Sequence, residues 1–279
     1  MQNLTVAIIQ ANQSWQDNEA NFTHFENLLE QTGGACCDLI ILPEMFNTSF
    51  SMDVKNLAED TSGTSVQWLT NQAKKWNTRI CTTLIIEEEN KYYNRLVIVS
   101  ERGIEASYNK RHLFRMAGEH QYFESGEERV IYHLHGWRIL LQVCYDLRFP
   151  VFSRSKTIEG KPEYDLAIYP ANWPERRAYA WTTLLKARAI ENQVFVIGVN
   201  RVGKDGNELL YSGDSAVIDP WGNDEYLATK NTEQVKILTL IADKLQQVRT
   251  AFPAYLDADA WNSPFNQKNI PFNQDEGFN

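Results

Sequence analysis

Four short runs constrain this chain more than anything else in it. LTVAII at 4–9, DLIILP at 38–43, YDLAIYP at 164–170 and VFVIGVN at 194–200 are almost wholly apolar and rich in branched side chains. Each is too short for a helix and lacks the polar alternation of a strand with one wet face, so each reads as a buried strand. Such strands need cover on both sides, and helical patterns lie between them. Residues 17–32 read as an amphipathic helix stopped by Gly33-Gly34. Residues 64–76 carry Val66, Leu69, Ala73 and Trp76 at helical spacing, and 175–192 carry Ala178, Trp181, Leu184, Leu185 and Ala189 on one stripe. Three further strands are expected from 79 to 108, split near Glu89-Asn90 and Gly103, and a pair across 129–143 broken at Gly136. SAVIDPWG at 215–222 reads as a strand with a turn, and 234–241 as the last strand.

Strands with interleaved helices make the class α/β, with helices on both outer faces of stacked sheets. No fixed-period repeat and no Pro/Gly/Ser-rich linker interrupts residues 1–261, which read as one domain. Residues 262–279 are rich in Asn and Gln and read as a polar C-terminal extension, or an arm for gripping a partner.

Charge and cysteine usage narrow the functions. The net charge is −9 and no Lys/Arg run exceeds a pair such as Lys74-Lys75, which argues against nucleic acid and anionic membranes as partners. No apolar stretch reaches membrane-spanning length, and MQNLTVAIIQ runs into a strand without a signal-peptide pattern. Cys36, Cys37, Cys81 and Cys144 show no zinc-ligand spacing, so a reducing cytoplasm with thiols and no bound metal is expected.

Three residues are placed for chemistry. Cys144 follows the strand-like Ile139–Val143 and precedes Pro150, where a helix can begin. A turn of that kind exposes sulfur, and a helix start favours thiolate. Glu44 ends the DLIILP strand beside Pro43, Met45 and Phe46, a setting for a partly desolvated base. Lys110 follows a strand in SYNKRHLF and is suited to holding an oxyanion. Taken singly, each has a plainer reading that outweighs it: a core thiol, a capping carboxylate, a solvated lysine.

Taken together they do not stand alone. LPEMF at 42–46, YNKRHLF at 108–114 and CYDLRFP at 144–150 resemble the three signature segments of the nitrilase superfamily, in order, their key residues 66 and then 34 positions apart. The resemblance extends through YPANWP at 169–174 and LLKARAIENQ at 184–193, so it spans nearly the whole chain to about 262. EHQYFESG, PANWP and FPAYLDAD look most like its omega-amidase branch. The resemblance implies a four-layer α-β-β-α sandwich, often paired as a homodimer across a helical face near 175–192. It also implies a hydrolase of carbon–nitrogen bonds in small amides, needing no cofactor. In that pattern Glu44 is the base, Cys144 the nucleophile and Lys110 the cationic helper, which also favours thiolate. Glu119, seven residues before Gly126, supports them, with Glu124 and Glu127 as rivals. The oxyanion hole is Lys110 with the backbone N–H of Tyr145.

Omega-amidase substrates are short 2-oxo acids with a terminal amide, such as 2-oxoglutaramate. Arg176 and Arg177 are candidates to anchor the carboxylate, and Arg148 is expected to bond backbone or Asp146. Phe46, Phe50, Tyr145 and Trp173 are candidate pocket walls, with core packing the alternative for each. Glu191 reads as structural. Nitrile hydrolysis and carbamoyl cleavage use the same residues. A Cys–His hydrolase using His112, His120, His133 or His135 is a rival mechanism, and a non-catalytic binding module on the same fold is a rival from another class.

Overall fold

The computed structural model describes residues 1–33, 37–259 and 265–271. A six-stranded sheet runs in the order β16 (Gln234–Leu240), β1 (Leu4–Gln10), β2 (Leu39–Ile41), β3 (Arg79–Glu88), β4 (Lys91–Ser100), β5 (Gly103–Asn109). Its apolar runs β1, β2 and β3 are parallel neighbours, and the outer strands pair antiparallel. A seven-stranded sheet runs β15 (Asp224–Leu227), β14 (Ala216–Ile218), β11 (Phe195–Asn200), β10 (Leu166–Ala171), β7 (Trp137–Leu141), β6 (Glu128–Leu134), β17 (Asn266–Ile270). Here β7, β10 and β11 are parallel. Two small hairpins, β8 (Thr157–Ile158) with β9 (Lys161–Pro162) and β12 (Val202–Lys204) with β13 (Leu210–Ser212), stand outside both sheets.

Side-chain alternation explains the layering. Leu4, Val6 and Ile8 of β1 share one core with Ile139, Leu141 and Ile168 of the second sheet. The intervening Ala7 and Ile9 point the other way, into a core closed by Phe25 and Leu29 of α1 (Asn18–Glu30) and Val66, Leu69 and Ala73 of α3 (Thr64–Trp76). The far face of the second sheet is covered by α5 (Ala178–Asn192). A Cβ on Gly198 of β11 would lie 2.6 Å from the Trp181 ring and 2.7 Å from Leu185, so glycine sets how closely the helix approaches. The result is the α-β-β-α sandwich. Among the described residues no helix is long and apolar enough to cross a membrane.

Local chemistry sets the boundaries. Asp17 caps α1 by accepting from the Ala20 N–H at 3.0 Å. Asn77 and Gln193 end α3 and α5 in the left-handed conformation. Glu89 and Asn90 both take positive φ, 53° and 60°, the turn that matches the twist of the β3–β4 hairpin.

The structure adds elements that periodicity does not announce. Helix α5 starts at Ala178, after a 3-10 turn over Glu175–Arg177. The strand expected over 215–222 is only Ala216–Ile218, because Asp219 turns the chain by accepting from the Trp221 and Asn223 N–H groups. Helix α6 (Ala242–Ala251) buries Leu245 and Val248 under an otherwise polar sequence, too thin a stripe to read. Short helices α2 (Val54–Leu57) and α4 (Pro150–Ser153) complete the set. Asn266–Ile270 of the polar tail is a strand paired in parallel with β6 of the same chain, an arrangement that rests on backbone pairing and so leaves no apolar pattern. The boundary at 261–262, tail residues 262–264 and 272–279, Gly34 and Cys36 lie outside the described residues.

One glycine joins this framework to the site. The Gly126 N–H donates to the Lys110 carbonyl at 3.0 Å, and a Cβ there would stand 2.1 Å from the Asn109 carbonyl oxygen. Gly126→Ala should lower stability by about 1–3 kcal/mol through that overlap. The check is the denaturant midpoint, and an unchanged midpoint would show that the β5 exit moves aside freely.

Candidate active site

Strand ends from both sheets converge on one point. Glu44 lies just beyond β2 and Lys110 just beyond β5, both of the first sheet; Cys144 lies beyond β7 and Asn172 beyond β10, both of the second. β3 pins the first turn: Thr82 Oγ1 donates to the Pro43 carbonyl at 2.7 Å, and Thr83 Oγ1 accepts from the Met45 N–H at 2.8 Å. The two peptide groups flanking Glu44 are thereby fixed, and Met45 takes φ 46°.

Cys144 also has positive φ, 41°, at the start of a 3-10 turn over Cys144–Arg148. That conformation is costly for a residue with a Cβ and needs support from its surroundings. Buried Asp146 supplies it. Its carboxylate accepts from the Val143 N–H (2.9 Å), Tyr108 Oη (2.8 Å), and His112 through its N–H (3.0 Å) and Nδ1 (2.8 Å). Arg188 of α5 donates to the Leu147 carbonyl at 2.6 Å and is held by Glu191 at 3.0 Å, which gives Glu191 its structural place. Tyr145 is the second residue of the turn, so its N–H is among those that a helix start leaves without an internal acceptor.

The charged groups meet at hydrogen-bond distance. Lys110 Nζ donates to Glu44 Oε1 at 2.8 Å and to both Glu119 oxygens at 3.0 Å, all three side chains being fully buried. Asn94 Nδ2 donates to Glu44 Oε1 (2.8 Å) and Glu119 Oε1 (3.0 Å). The Asn172 N–H donates to Glu44 Oε2 at 2.8 Å, and the Phe114 N–H to Glu119 Oε2 at 2.5 Å. Gln13 Nε2 and Asn172 Nδ2 both donate to the Glu44 carbonyl. Asn94, Asn172 and Gln13 are the residues that sequence reasoning missed. A lone Asn inside KYYNRLVIVS was the available signal, since a buried amide in an apolar strand must bond something.

Burial, and after it the Glu44 charge, pushes the Cys144 thiol well above its ordinary value; Lys110 pulls the other way and loses. The pull of the turn and of Lys110 toward thiolate is thus outweighed, which suits a sulfur that gives its proton to Glu44 during attack. Burial works against the Lys110 charge, but Glu119 and Glu44 outweigh it and hold the ammonium charged. Burial raises the Glu119 carboxyl against the pull of Lys110. An arrangement with a thiol, a carboxylate acceptor beside it and a fixed ammonium can run nucleophilic attack on a carbonyl.

Above this group lies a small cleft opening to solvent. Cys144, Lys110, Phe50, Tyr145, Trp173 and Arg177 all line it. Phe46 does not: it packs in the core against Phe25 (5.5 Å) and Trp68 (5.3 Å), because the left-handed Met45 turns the chain inward. Arg148 lines the cleft over the Trp173 ring at 4.8 Å instead of bonding Asp146, whose oxygens are already taken. Arg177 lies over Phe114 at 5.0 Å, and Arg176 faces an adjoining outer cavity with Trp15 and Asp205. Among the described residues no carboxylate pairs with these three arginines. Burial, then Arg176, draws the Arg177 guanidinium below its ordinary value. Glu124 and Glu127 are exposed and away from the site, and no histidine lines the cleft; His112 is stacked on Phe149 at 3.8 Å.

Known proteins share this architecture. A family model described as carbon-nitrogen hydrolase matches residues 5–250. Omega-amidase YafV of Escherichia coli K12 is 44% identical over 263 residues, covering 93% of this chain and 98% of the relative. A 2-oxoglutaramate amidase of Bacillus subtilis is 33% identical, covering 91% and 96%. The crystal structure of a CN-hydrolase superfamily protein from Xanthomonas campestris, with an arsenic adduct in its active site, superposes with a TM-score of 0.90 at 42% identity, covering 94% of this chain and 99% of that one.

The electrostatics carry a test. Glu44→Gln removes a charge that holds the Cys144 thiol up and leaves Lys110 in place, so the thiol should ionise at lower pH. Thiolate ultraviolet absorbance, corrected with Cys144→Ala, reads the titration. A midpoint that stays put would mean that burial alone sets it.

Proposed function

Because the chain belongs to the carbon-nitrogen hydrolase family, we propose that it is an omega-amidase, releasing ammonia from the terminal amide of a short 2-oxo acid such as 2-oxoglutaramate. The relatives at 44% and 33% identity support the reaction. The observation that carries the substrate class is the pair of guanidinium groups, Arg148 and Arg177, facing a small cleft with no carboxylate partner of their own. An incoming carboxylate supplies that partner. A nitrile or carbamoyl substrate uses the same thiol and carboxylates, but does not by itself account for the arginines.

In this reading Glu44 takes the Cys144 proton as sulfur bonds to the amide carbon. The carbonyl electron pair moves to oxygen, held by Lys110 and the Tyr145 N–H, where one donor is worth about 10²–10³ in rate. The carbonyl then re-forms, the C–N bond breaks with its pair going to nitrogen, and Glu44 hands over its proton so that ammonia leaves. Water attacks the thioester as Glu44 accepts its proton; sulfur leaves, is reprotonated, and the carboxylic acid is released. Glu119 holds Lys110 in register and touches no reacting atom. The free thiols Cys81 and Cys144 support a reducing, cytoplasmic setting. Exposed Tyr179 and Ile190 on α5 and Val151 on α4 support a homodimer paired across that face.

Two outcomes test the reading. Purified protein should release ammonia from 2-oxoglutaramate and Cys144→Ala should not; release by the alanine variant would remove Cys144 from the reaction. Arg177→Ala should raise KM for the anionic amide by about tenfold or more, the worth of a hydrogen bond to a charged group, and spare a neutral amide of similar size. Equal effects on both would mean that Arg177 is not the anchor.

A further inference from the structure

Two guanidinium groups converge on a thioether. Arg177 Nη1 lies 3.8 Å and Arg176 Nη2 3.9 Å from Met116 Sδ. Met116 is the middle residue of the 3-10 turn Arg115–Ala117, which Gly118 closes in the left-handed conformation at φ 77°. The turn belongs to the segment that joins Lys110 to Glu119, and its root is fixed where the Phe114 N–H meets the Glu119 carboxylate. Its tip faces solvent: Met116 is 73% exposed, against 45% for Met1, while Met52 is half-buried and Met45 fully buried. Met116 borders the outer cavity with Arg176, and Arg177 lines the cleft that holds Cys144. A thioether is a weak acceptor, so the sulfur leaves both guanidinium groups available to a stronger one.

We propose that Met116 is a site of reversible oxidation, and that its sulfoxide occupies Arg177 and weakens binding of the anionic substrate. The inference rests on the amidase reading above, in which Arg177 takes the substrate carboxylate. The oxidant is hydrogen peroxide. A sulfur lone pair attacks one peroxide oxygen, and the S–O bond forms as the O–O bond breaks. The departing oxygen takes the proton of the transferred one and leaves as water. Sulfur is oxidised by two electrons and the peroxide is reduced by two. A polar group with a strong oxygen acceptor now stands where an apolar one stood. The open side chain can turn that oxygen toward Arg176 and Arg177, where its hydrogen bonds are charge-assisted. A carboxylate entering the cleft then has to displace it from Arg177. Glu44, Lys110 and Cys144 are untouched, so the effect falls on binding and not on the chemical step.

The test treats the full chain with hydrogen peroxide and then with dithiothreitol, which returns a Cys144 sulfenic acid to thiol and leaves a methionine sulfoxide in place. Met116→Leu, which keeps an apolar side chain and cannot take up oxygen, is treated alongside. Peptide mass spectrometry should find one added oxygen on Met116. KM for 2-oxoglutaramate should rise about tenfold in oxidised wild type alone, the worth of a hydrogen bond to a charged group. KM for a neutral amide should be spared, kcat should match that of treated Met116→Leu, and methionine sulfoxide reductase should restore the untreated KM. An oxidised Met116 with an unchanged KM, an equal rise in Met116→Leu, a rise that the reductase does not reverse, or a Met116 that stays unoxidised while Met1 or Met52 is modified would each overturn the proposal. If the untreated protein hydrolyses no amide, the amidase reading fails by itself and binding of 2-oxoglutarate decides this inference. Weaker binding to oxidised than to untreated protein then supports it, and equal binding or none overturns it.

Discussion

Lys110 sits fully buried between Glu44 and Glu119, and the rest of the site answers to that fact. Taking an ion out of water costs several kcal/mol even after relaxation. Three such ions in one place persist only if nearly every lone pair finds a donor. The fold supplies those donors from separate elements: the Asn94 amide from β4, the Asn172 N–H from beyond β10, the Phe114 N–H from the segment after β5. The cluster carries two carboxylates for one ammonium, so a negative field bears on whatever is placed beside it. The Cys144 sulfur is placed there, and burial first, then the Glu44 charge, push its thiol above the ordinary value. A nucleophile held as a thiol is protected from the side reactions of a standing thiolate, and it depends on its neighbour for every turnover.

How much of this could be read from the chain depends on what each feature is made of. Buried strands such as DLIILP and YDLAIYP announce themselves through side chains, and helix 64–76 has the observed limits because Gly63 and Asn77 bracket an apolar stripe. Strand β17 has no such signature, since NQKNI is held by main-chain pairing to β6, and α6 offers too few apolar positions. Glu44, Lys110 and Cys144 were legible through the resemblance of three segments, and Glu119 through its place before Gly126 in the same pattern; the structure brings the four together. Their helpers were not. Asn94, Asn172 and Gln13 are ordinary residues whose importance lies in what they face.

Direction is the property that sequence carries least. Phe46 is adjacent to Met45 and two positions from Glu44, yet it faces the helix-side core, because a single left-handed residue between them swings the chain. Arg148 follows Cys144 by four positions, and its expected place was on backbone or Asp146; the tyrosine, histidine and backbone donors already around that carboxylate leave it to face the cleft. The thiol's protonation belongs to the same class. It follows from burial and the opposed charges of Glu44 and Lys110, and no local motif encodes their sum.

The base and the ammonium belong to one sheet, and the nucleophile belongs to the other. The reacting atoms therefore meet across the seam between the two layers, bridged by the Asn172 N–H on Glu44. Each layer can keep its own ladder intact while the two slide by a fraction of a bond length, and such a slide would separate sulfur from its proton acceptor. The catalytic centre thus works as a gauge of interlayer alignment. Mild stress that loosens the stack, whether pressure, heat or a forced fit at the helical face, would silence the enzyme while its secondary structure still looked native.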